Sequence, residues 1–267
     1  MTSELLIDRV IRDLDRVVER AWEERSRDGY FAALYRRVTI KVKEGILTPG
    51  VFEDPARMDL LDFTFASRYL DALGRFEAGE APTRAWRVAF DAAHSRRPVI
   101  LQQLVLGINA HINLDLGIAA ARVSPGPAIE SLYHDFNRIN EILAGLITLV
   151  EAQVGELSPW FRFFTRIAGH DGMRAVEFSL SVARAEAWRF ALALAPLAEP
   201  AQQPAIERRD GEIARLARKV LHPGPLLDLV LLPVRAREVH DVRRIIEVLS
   251  QETAHVTELV GRFPGPS

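Results

Sequence analysis

Between Val99 and Ala121 the only ionisable side chains are His111 and Asp115. A stretch this apolar and this long folds either as a helix enclosed by other helices or as a membrane span. Gln102, Gln103, Asn109 and Asn113 decide between the two, because each amide is costly in hydrocarbon. The expectation is a buried central helix from roughly Pro98 to Arg122 in an all-α, multi-helix bundle, with no integral membrane segment.

The rest of the chain supports an all-α reading. Apolar residues recur at helical spacing, and no period-two run bounded by hairpin turns is present. Helices are expected at about Ser3 to Arg27, with Ser3 as N-cap, at Tyr30 to Glu44, at Pro55 to Arg75 behind an Asp54 cap, and at Thr83 to His94. After the break at Ser124 to Pro127 a long helix runs to about Glu156. A short aromatic helix begins at Ser158, and another helix covers Asp171 to Ala195. Three prolines between Pro196 and Pro204 suggest a linker. The division expected is therefore a helical core domain over 1–195, a linker over 196–204, and a C-terminal helical segment, 205–267, packing on the core. Within that segment, helices are expected at Ala205 to Leu221 and at Pro225 to Gln251, the second kinked or broken at Pro233. The tail from Gly261 to Ser267 is expected to fray.

Composition removes several function classes. The 267 residues carry 34 Lys and Arg against 36 Asp and Glu, a net charge of -2, which argues against a nucleic-acid partner. Cysteine is absent, so zinc-thiolate centres, iron-sulfur clusters and thiol nucleophiles are excluded. The acids and arginines of the first twenty residues interrupt any secretory signal, so a cytoplasmic location is expected. The strong excess of Arg over Lys fits the coding bias of a GC-rich bacterium.

The central helix has two polar lines. At about 100° per residue, Gln102, Asn109 and Asn113 share one side, and His111 and Asp115 lie opposite, four apart and able to touch. Other ionisable residues fall on stripes that should face inward: Arg68, Asp135, Glu177 and Arg184, with Trp188 beside them. Their charges nearly balance, so a network of buried ion pairs is the purely structural interpretation. The functional interpretation is a central pocket of the kind helical bundles use for ligands and metals. In it, His111 oriented by Asp115 acts as the catalytic base on a small polar or anionic substrate. Arg68, Arg184, Asn109 and Trp188 would bind that substrate. His111, Asp115, Asp135 and Glu177 together would also suit one divalent metal ion. The alternative is a noncatalytic small-molecule-binding or scaffold protein whose buried charges serve packing alone. The apolar run Leu226 to Val234, followed by several arginines, is expected to pack on its own domain or to contribute to a homodimer, with binding to a membrane surface or a partner as the alternative.

Five blocks, YFAALYRRVT at Tyr30, FASRYLDAL at Phe65, GINAHINLDL at Gly107, DFNRINEIL at Asp135 and ARAEAW at Ala183, resemble an uncharacterised bacterial family classed as a domain of unknown function. The resemblance spans Tyr30 to about Ala195, with GINAHINLDL its most specific block. It implies an all-helical fold and carries no reaction, cofactor or site.

Overall fold

A computed structural model describes residues 4–139, 142, 155–158 and 180–251, with the backbone alone given for Leu226, Leu227, Asp228 and Val230. Helices are α1 (Leu6–Glu24), α2 (Gly29–Leu47), α3 (Pro55–Glu77), α4 (Arg84–Ala93), α5 (Ile100–Val123), α6 (Glu199–Leu221), α7 (Pro225–Arg237) and α8 (Val242–Ser250), with further helical residues at 133–139 and 180–194. No strand occurs among the described residues. The Ser3 cap, Glu177, the C-terminal tail and most of the expected helices up to Glu156 and from Ser158 lie outside the described residues.

The chain wraps around α5. Its mean hydropathy of 1.4 and its length would allow it to cross a membrane, yet 78% of that apolar window is buried inside the bundle. α2, α3, α4 and α6 all pack against it, so its apolar surface is covered by helices on several sides. The main apolar core joins residues as distant as Ile7, Leu61, Trp86, Leu114, Ala191 and Ile213. A second cluster, around Tyr30, Leu104, Ile245 and Ile246, seats α8 against the bundle.

Helix N-termini are held by carboxylates from far along the chain. Asp59 accepts from the Leu6 and Ile7 amides at 2.9 and 2.8 Å. Asp210 does the same for Arg84 and Ala85 at 2.8 and 2.9 Å, and Glu238 accepts from Ile100 N at the start of α5, at 3.1 Å. Each satisfies amides that have no partner within the helix, and Asp59 and Asp210 do so at the positive end of the helix they cap. Asp54 caps α3 locally through Arg57 N, with Pro55 in the first turn, as the sequence indicates.

Two boundaries differ from expectation. The proline-rich stretch is largely helical, because Pro200 sits in the first turn of α6, where a missing N–H costs nothing. Pro204 lies inside α6 as well. The corner before α6 is secured by Gln202, whose amide donates to the carbonyls of Leu194 and Leu197. The last long helix breaks at Glu238 to Asp241 and not at Pro233, which lies within α7. Glu238 turns to α5, Val239 N donates to Leu157 O at 3.0 Å, and Asp241 starts a new cap on Arg243 N. Along α7, Val234 is buried while Leu229 and Leu232 are exposed, so this apolar run packs only in part.

Two glycines let neighbours touch the backbone of α5. A methyl group at Gly107 would lie 2.4 Å from the Phe31 ring, and one at Gly117 would lie 2.7 Å from the Ala187 carbonyl. Gly107→Ala should therefore lower unfolding free energy by about 1–3 kcal/mol in urea denaturation, the usual cost of overfilling a core.

A second test uses pH. Burial pushes the Glu238 carboxyl up from 4.5 to about 7, against its hydrogen bond to Ile100 N. The protonated form is thus favoured by the fold, so this residue's stabilising contribution is complete below pH 4.5 and lost as pH rises through about 7. The stability difference between wild type and Glu238→Gln, measured by denaturation across that window, should shrink in the wild type's disfavour as pH rises.

Candidate functional site

The α5 helix is not α-helical throughout. From His111 to Leu116 it forms a π-helical turn, a distortion that occurs mostly as single turns and frequently at functional sites. The turn holds His111 and Asp115, the two ionisable residues between Val99 and Ala121. Within it the Asn113 carbonyl accepts from Arg209 Nε at 3.0 Å, so α6 supplies a donor to a backbone group inside the turn.

Asp115 is fully buried at 0% exposure. One carboxylate oxygen accepts from Arg68 Nε of α3 at 2.7 Å, and the other accepts from Trp86 Nε1 of α4, also at 2.7 Å. His111 Nδ1 stands 3.6 Å from the oxygen that Trp86 occupies, too far for a hydrogen bond. Burial works against the charge on Asp115, but Arg68, His111 and Trp86 together outweigh it and hold the carboxyl below its usual range.

His111 is 3% exposed and lies in a box of rings. Phe65 stacks on it at 3.5 Å between centroids and 9° between planes, and Tyr35 meets it nearly edge-on at 4.4 Å. Both of its nitrogens lack a hydrogen-bond partner. Burial lowers the imidazole's affinity for a proton, despite the nearby Asp115, so the ring is neutral near pH 7.

Beside this pair a cleft of about 320 Å³ opens between α3, α4 and the C-terminal half of α5. Asp115, Arg68 and Trp86 border it, together with Arg75, Arg122 and Thr83. Phe63, Ala72 and Pro82 add apolar wall. The Thr83 hydroxyl is buried without a partner, because the capping task that its position before α4 would give it is performed by Asp210. Thr64 and Ser67 differ, since each donates to a carbonyl of its own helix.

The sequence-predicted residues divide clearly. Arg68, His111 and Asp115 come together. Asn109 serves packing, donating to the Ile213 carbonyl of α6 at 3.3 Å and accepting from Asn113 at 3.1 Å. Arg184 lies elsewhere, donating to the Phe136 carbonyl at 2.6 Å with its guanidinium 4.7 Å from the Phe136 ring, and burial lowers it to about 9. Trp188 packs on Tyr133 and Phe136.

Asp135 does not join His111 and Asp115. Its two oxygens accept from the Glu53 and Asp54 amides at 2.7 and 3.0 Å, a structural clamp on the loop before α3. With Glu177 outside the described residues, the expected four-residue metal set is not assembled among those described. The one described group with metal-ligand spacing is a different one, Glu53, His134 and Asp135. Arg57 lies 3.5 Å from Asp135 there, which opposes a cation.

Trp86, Thr83, Arg75 and Arg122 were missed by sequence reasoning. Arg68 and Arg75 are two helical turns apart on α3, a spacing visible in the sequence, whereas nothing local marks Trp86 as the partner of a carboxylate on another helix.

Removing the charge at the floor gives a direct test. Asp115→Asn should cost about 3–5 kcal/mol in urea denaturation by stranding Arg68. The double variant Asp115→Leu with Arg68→Met should lose clearly less than the sum of its single changes.

No curated protein and no solved structure matches the chain. A family profile matches residues 7–223, a longer span than the five blocks indicated, and takes in α1 to α6 with both walls of the cleft. By that match the chain belongs to the family of unknown function DUF5995.

Proposed function

We propose that this protein binds a small organic anion in the cleft between α3, α4 and α5. One observation carries the reading: a fully buried carboxylate fixes Arg68 and Trp86 at the base of a 320 Å³ cleft that Arg75 and Arg122 also border. Arg68 uses Nε on Asp115, which leaves its two terminal nitrogens for a ligand. A guanidinium held in this way is suited to the paired oxygens of a carboxylate or phosphate. Phe63, Pro82 and the indole of Trp86 favour a ligand with an apolar body. The unpartnered Thr83 hydroxyl supplies a further donor.

Catalysis at the same centre is the second reading, and it rests on His111. A neutral imidazole with two unpartnered nitrogens, 3.6 Å from Asp115 within a π turn, has the composition of a general base. It does not border the cleft, so a substrate would reach it only after the surrounding rings move. Binding is therefore the better-supported function.

Isothermal titration with benzoate, phenyl phosphate and inorganic phosphate tests the proposal. At least one of the aromatic anions should bind, and the double change Arg75→Gln with Arg122→Gln should weaken it tenfold or more while leaving the fold intact by circular dichroism. Absence of binding by all three, or affinity unaltered in the double variant, would sink the binding reading. His111→Gln separates the two readings, since it should leave anion affinity unchanged and, under the catalytic reading alone, abolish turnover of the bound compound.

A further inference from the structure

A second, smaller cavity lies on the α2 and α4 side of α5, and Trp86 borders it as well as the cleft. Its volume of about 20 Å³ is room for one group of water or ammonium size. Three residues that border it each have a buried polar atom with no partner: Asp28 Oδ1, Tyr69 Oη and Gln103 Oε1. Tyr69 is 1% exposed and Gln103 8%. Three orphaned oxygens on residues that border one small space are a concentrated penalty in a folded protein, and each such group calls for a ligand, an ion or water.

The remaining polar atoms of these residues are already engaged. Asp28 Oδ2 accepts from Ser26 Oγ at 2.8 Å and lies 3.7 Å from His94 Nε2. Gln103 Nε2 donates to the Pro98 carbonyl at 3.2 Å. What the cavity offers is therefore two pure acceptors and a phenol that both accepts and donates. Its walls include Phe31, Tyr69, Trp86 and Phe90, linked ring to ring at centroid distances of 5.0 to 5.4 Å. An excess of acceptors set among aromatic rings favours a compact donor that carries positive charge. Arg27 also borders the space and donates to the Ser95 carbonyl at 2.7 Å. Its charge offsets that of Asp28, so the oriented acceptors and the rings provide the selectivity.

We propose that this cavity binds a single ammonium group, either as free ammonium ion or as the head of a primary amine. Water also fits the volume, donating to Asp28 and Gln103 and accepting from Tyr69, but it lacks the positive charge that the ring faces favour.

The test is a thermal-melt titration of the full chain with ammonium chloride and with methylammonium chloride, against sodium and potassium chloride at equal ionic strength. The expected result is a saturable rise in melting temperature specific to the nitrogen cations. A response to both identifies an amine head as acceptable, and a response to ammonium alone identifies the free ion. Tyr69→Phe and Asp28→Asn should each weaken the apparent affinity at least tenfold. Tyr69→Phe should do so without lowering the melting temperature of the unliganded protein, because it removes an oxygen that has no partner. The proposal is overturned if no cation-specific rise is seen, or if the rise survives undiminished in both variants.

Discussion

The bundle depends on one buried charge. Placing the Asp115 carboxylate out of water costs several kcal/mol, and only nearby donors of good geometry make that tolerable. Arg68 arrives from α3 and Trp86 from α4, so a single side chain on the central helix fixes the position of two surrounding helices. The same contacts form the floor of the cleft. Any movement of α3 or α4 relative to α5 must break a hydrogen bond to an ionised group, which makes the cleft floor rigid while its arginine rim stays at the surface.

Four other inward-facing acids show a different use of a carboxylate from that of Asp115. Asp59, Asp210, Asp135 and Glu238 all spend their oxygens on backbone amides, mostly at helix starts, where the carboxylate meets both unpaired N–H groups and the positive end of the helix. That use is architectural and complete in itself. Asp115 is held by side chains, one of which keeps donors to spare beside open space. Buried charge alone is thus a poor guide to function in this fold, and the identity of the partner discriminates better.

The π turn and the flanking glycines explain how α5 reaches so many neighbours. Gly107 admits the Phe31 ring and Gly117 admits the backbone at Ala187, while the turn between them carries His111 among aromatic rings and Asp115 toward the cleft. The two sides of Trp86 differ in chemistry: three arginines border the cleft beside Asp71 and Asp115, and unpartnered oxygens border the smaller cavity beside Arg27.

The helical class, the buried central helix and the placement of His111, Asp115 and Arg68 on inward faces were legible because they follow from local periodicity, which the sequence states directly. Asn109, expected among the substrate-binding residues, instead pairs with Asn113 and the Ile213 carbonyl. What periodicity could not reveal was which inward residues meet. Asp135 and Arg184 point inward as expected, yet they meet the backbone of other segments. Trp86 had no local mark, because its role arises from a contact twenty-nine positions along the chain. The helical start at Glu199, despite its prolines, rests on Gln202 bonding carbonyls five and eight positions back, and the break after α7 rests on Glu238 reaching the distant start of α5. The sequence alone therefore determined the helices and their buried faces, since those depend on spacing within one segment. The tertiary structure alone decided which charges share a site, since that depends on how separate helices are brought into register around α5.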